Sequence, residues 1–85
     1  MSKNYLMLMN QIRANLAAAD QCAEAGDGQG AEVLAGLGYD IWDEIASDIQ
    51  KGITISTDGW SPENQSLFET IKQRAEEEAK EEDEE

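Results

Sequence analysis

Eight of the last ten residues, Glu76 to Glu85, are carboxylates and one is a lysine, so this run holds −7 of the chain's net charge of −13. Such a segment cannot build a core, because each ionised group would lose its hydration on burial without gaining a counter-ion. Whatever packs must come from residues 1–75. The run itself acts electrostatically, repelling anions and drawing in basic surfaces over about 8–10 Å at physiological salt.

Folding is left to a short chain. Its 85 residues, 40% of them apolar, suffice for one modest core, and a domain of this size buries only about 60–65% of its unfolded surface. A single helical domain over 1–75 is expected, with 76–85 as an acidic extension, helical or frayed. The one cysteine, Cys22, allows no intramolecular disulfide, which suits a reducing compartment and a cytoplasmic location. The apolar stretch Tyr5–Met9 is shorter than the core of a signal peptide, and a spanning helix needs about twenty apolar residues. No membrane partner is expected.

Histidine is absent. With it go the usual general base near neutral pH and the commonest metal ligand. Carboxylate pairs can catalyse, but they need a cleft that separates their pKa values. The acidic turns around Asp27 and Asp58 lack the alternating oxygen ligands of a calcium loop. Neither an enzyme, a cofactor nor a metal site is expected.

The apolar residues repeat at helical intervals. Tyr5, Met9, Ile12, Leu16, Ala19 and Ala23 follow a 4-3-4-3-4 spacing, widened by Leu8, which predicts a helix with one apolar face. Gly26-Asp27-Gly28-Gln29-Gly30 then ends it in a turn. Val33, Leu34, Leu37, Ile41, Ile45 and Ile49 give the next helix its apolar stripe, with Trp42 at the edge. Gly36 and Gly38 within it point to a kink or a close helix–helix approach. Ile53-Thr54-Ile55-Ser56-Thr57 alternates like a strand with no partner in the chain; an extended linker placing Ile53 and Ile55 in the core is expected. Ser61-Pro62-Glu63 opens a last helix, with Leu67, Phe68, Ile71 and Ala75 inward. The reading is all-α, three helices at about residues 3–25, 31–51 and 62–79.

A second acidic feature lies in the middle helix. Glu32, Asp40, Glu44 and Asp48 fall on multiples of four, with Gly36 in the empty place and Asp43 alongside. Residues four apart sit about 6 Å apart along a helix, a step comparable to that between phosphates on one nucleic-acid strand. Carboxylates at this interval can occupy phosphate sites on a basic groove, or can simply be the solvated face of the helix. The partner-binding set is therefore Glu32, Asp40, Asp43, Glu44 and Asp48, joined by Glu76, Glu77, Glu78, Glu81, Glu82, Asp83, Glu84 and Glu85. Trp60 is the candidate apolar anchor beside them, since tryptophan is enriched at interface hot spots. It could equally pack in the core.

Only Lys3, Arg13, Lys51, Lys72, Arg74 and Lys80 are basic, against nineteen acids, so direct nucleic-acid binding is not expected. The fitting partner is a basic nucleic-acid-binding protein: a nuclease, a restriction or CRISPR effector, or a polymerase. In size, acidity and Glu/Asp-rich end the chain resembles the phage-encoded DNA mimics that defeat restriction or CRISPR systems. That resemblance implies a counter-defence inhibitor. The alternative is a small homo-oligomeric adaptor whose acids serve solubility. Met1, Leu6, Met7 and Met9 exceed what one stripe buries, and would make a homodimer seam on the Tyr5–Ala23 face.

Overall fold

The chain forms α1 (Tyr5–Glu24), α2 (Gly28–Gln50) and α3 (Pro62–Asp83) in a computed structural model that describes residues 3–83. Met1, Glu84 and Glu85 lie outside the described residues. For Glu81, Glu82 and Asp83 the helical backbone alone is described. The described residues include no strand, so the fold is all-helical with three helices. They divide into two compact units, Met1–Trp42 and Asp43–Glu85.

In the first unit, Asn4 starts α1. Its side-chain oxygen accepts from the Met7 N–H at 3.0 Å, satisfying one of the unpaired donors of the first turn. Met9, Ile12 and Ala19 are buried on the face that the 3-4 spacing marks. The helix stops in a Schellman motif: the Gly26 N–H donates to the Ala23 carbonyl at 3.1 Å and the Asp27 N–H to that of Cys22 at 2.8 Å. Gly26 closes it at φ 85°, a conformation that costs only glycine nothing.

Asp27 then caps α2, accepting from the Gly30 N–H at 2.9 Å. Its carboxylate fills the space that a Cβ at Gly30 would need. The helix therefore begins at Gly28, three residues before the expected Ala31: the cap outweighs two poor helix formers.

The two inner glycines of α2 differ. A Cβ on Gly38 would lie 3.1 Å from Leu16 Cδ2, so this glycine marks where α1 and α2 come close. A Cβ on Gly36 would meet nothing within 4 Å. Gly36→Ala is accordingly expected to raise stability by about 0.5–1 kcal/mol through helix propensity. Gly38→Val, which overpacks the contact, should lower it by about 1–3 kcal/mol. Urea midpoints of the two variants check both signs.

The apolar stripe of α2 is not buried along its length. A strict four-residue repeat turns 400° per step on a helix of about 3.6 residues per turn, so it drifts about 40° each time. Val33 and Leu37 consequently face solvent, 64% and 49% exposed, while Ile45 is buried and Leu34, Ile41 and Ile49 are half-buried. The expectation of one continuous buried stripe is corrected at its N-terminal end.

In the second unit, Ile45 and Ala46 of α2 are buried. A second Schellman motif ends the helix, with Gly52 at φ 88° donating to Ile49 and Ile53 donating to Asp48. Gln50 Nε2 donates to the Ala75 carbonyl at 3.1 Å and ties α2 to α3. In the linker Ile55 is half-buried, but Ile53 is exposed, contrary to expectation. The Ile53 N–H is spent on the helix cap, which fixes the direction in which its side chain leaves. A turn closed by the Trp60 N–H to the Thr57 carbonyl leads into Ser61. Ser61 caps α3 by accepting from the Asn64 N–H at 3.2 Å. Phe68, Ile71 and Ala75 are buried and Leu67 half-buried, as the spacing predicts. The helix continues past Ala79 to Asp83, so this part of the acidic segment is helical.

Candidate functional site

The surviving acidic surface follows from these elements. In the first unit Glu32 and Asp40 are exposed on α2. In the second unit Asp43 and Glu44 are exposed at the start of its α2 segment, and Glu76, Glu77 and Glu78 on α3.

Asp48 is not on that surface. It is 4% exposed and takes part in an interaction within the protein. The 40° drift explains this too. From Glu32 to Asp48 the four steps add up to about 160°, so Asp48 cannot share a face with Glu32. Asp48 lands beside Ile45, three residues back, and is buried with it. Among the described residues no buried side-chain nitrogen or oxygen lacks a hydrogen-bond partner.

Trp60 is likewise internal. It is 9% exposed and meets Phe68 edge-to-face, with ring centroids 5.5 Å apart and planes at 86°. Gln65 Nε2 donates to the Trp60 carbonyl at 3.0 Å. The role of exposed anchor is not open to Trp60 in this fold. Trp42 is half-buried and tilted against Tyr39 at 5.7 Å.

Charge is unevenly shared. Residues 43–85 hold fourteen acids and four bases, a net −10, whereas residues 1–42 hold five acids and two bases, a net −3. The densest part is helical: between Glu76 and Asp83 six carboxylates oppose Lys80. At about 1.5 Å rise per residue the net −5 over these eight residues is roughly one charge per 2.4 Å of axis, against one per about 1.7 Å of duplex DNA.

Beside this charge lies an open groove of about 280 Å³, formed by Ile49, Gln50, Ala75, Glu76, Ala79 and Lys80. Its floor is hydrocarbon and its rim is charged.

Among the described residues no three or more of the His, Cys, Asp and Glu side chains gather as a metal site would require, and no helix is long and apolar enough to cross a membrane. No protein-family model, no curated protein and no solved structure matches the chain.

Proposed function

We propose that the protein is a non-enzymatic acidic inhibitor, of the counter-defence type its composition resembles. It occupies the basic groove of a nucleic-acid-binding protein such as a nuclease, a restriction or CRISPR effector, or a polymerase. The observation that supports this reading is the run of six carboxylates from Glu76 to Asp83 on a helical backbone, at roughly two-thirds of the linear charge density of duplex DNA. Held on a helix, these charges lose less freedom on binding than the same charges on a loose tail. Asp43 and Glu44 add to the charge of the same unit. The field of the whole chain steers the encounter.

The test is a panel of purified nucleases, restriction enzymes, CRISPR effectors and polymerases, each assayed on its own nucleic acid. One of them should be inhibited competitively with that nucleic acid, and inhibition should fade steeply between 50 and 500 mM salt. Inhibition indifferent to both salt and nucleic-acid concentration would count against charge mimicry.

The exposure of Leu6 and Met7 on α1 favours the adaptor as a second reading. It predicts a dimer that persists at 500 mM salt and inhibits no member of the panel.

A further inference from the structure

On the outer face of α2 in the first unit two rows of side chains run side by side. Glu32, Gly36 and Asp40 form one, at steps of about 6 Å, and Val33 and Leu37 form the other. All four side chains are exposed, Val33 and Leu37 being among the most exposed large apolar groups of the protein. The acidic row has a gap at Gly36. That glycine weakens the helix, yet among the described residues no atom comes within 4 Å of where its Cβ would stand. Gly38, two residues on, is explained by Leu16; Gly36 has no such internal reason.

We propose that this face is the docking site for a basic amphipathic helix of the target. An arginine or lysine of that helix seats in the notch at Gly36 between the Glu32 and Asp40 carboxylates, and its apolar neighbours cover Val33 and Leu37. Charge decides the occupant. From Gly28 to Gln50 α2 contains no lysine or arginine, so a second copy would set acid against acid, while a basic helix supplies what the face lacks. The missing side chain at Gly36 lets the partner helix come close, and the apolar pair gives the contact that Trp60, being buried, does not give.

This inference rests on the charge-mimic reading, and its test separates the two. The probes are two helical eighteen-residue peptides of equal positive charge, one with leucines at i,i+4 flanked by arginines, the other with those leucines replaced by serine. The native protein should bind the leucine peptide at least tenfold more tightly at 150 mM salt. In the double variant Val33→Ser, Leu37→Ser the two peptides should bind alike. Gly36→Leu fills the notch and should also erase the preference, without lowering the thermal midpoint. If these variants leave the preference intact while neutralising Glu76 to Asp83 weakens both peptides, the α2 site is overturned and the charge reading stands. If neither peptide binds at 50 mM salt, both fall. If sedimentation shows a micromolar dimer that Val33→Ser, Leu37→Ser dissolves, the face belongs to a second copy and the proposal is overturned.

Discussion

Replacing Glu76, Glu77, Glu78, Glu81 and Glu82 by glutamine and Asp83 by asparagine is expected to weaken binding to the inhibited target at least 100-fold at 150 mM salt, and to do so without unfolding the protein. Glu76, Glu77 and Glu78 are exposed, and Ala79 beside them is half-buried. Glutamine is about as good a helix former as glutamate. The pairs Glu77–Glu81 and Glu78–Glu82 place like charges at i,i+4, and acids at a helix C-terminus oppose the macrodipole. Neutralisation therefore relieves repulsion, and the thermal midpoint should hold or rise. Association should slow more than dissociation quickens, because removing distributed charge removes steering first. Stopped-flow binding and thermal melts on one variant check both. Undiminished affinity would end the mimic reading.

Trp60→Ala should have the largest effect on stability. Truncating a buried tryptophan costs about 3–5 kcal/mol, and 85 residues have a total stability of only about 4–13 kcal/mol. The variant also loses the edge-to-face contact with Phe68 and leaves a void beneath the α3 cap. The urea midpoint should fall by a third or more of its native value. Trp60→Phe, which keeps a ring against Phe68, should recover most of it. A Trp60→Ala protein with native midpoint but no affinity for its target would instead place this side chain on the binding surface.

Helix number, helix type and the inward residues of α3 and of α1 as far as Ala19 are legible in the sequence, because their 3-4 spacings keep to one side of a helix, whereas Ala23, expected on the same face, is exposed. α2 is less legible. Its apolar and acidic residues both repeat every four positions, and a repeat of four spirals around the helix. Hence Val33 emerges, Asp48 sinks, and the acidic stripe loses its C-terminal member. The angular drift could have been computed from the spacing. What the sequence hides is which end of the spiral meets the core, since that depends on long-range packing. The early start of α2 was available in Asp27, whose capping strength offsets the glycines that follow it. The burial of Trp60 was not: it depends on Phe68 and on the Gln65 side chain reaching back to the Trp60 carbonyl.

The two Schellman motifs also bear on how fast the fold is reached. Each stops a helix with bonds between residues three to five positions apart, at Gly26 and at Gly52. Ala25 to Asp27 is all that separates α1 from α2. Closing so short a reversal costs little chain entropy, and a helical chain dominated by local contacts folds in microseconds to milliseconds. Refolding after dilution from urea should finish within milliseconds for the bulk of the chains. Moving either glycine one residue along the chain should slow that refolding, by letting a helix overrun its stop.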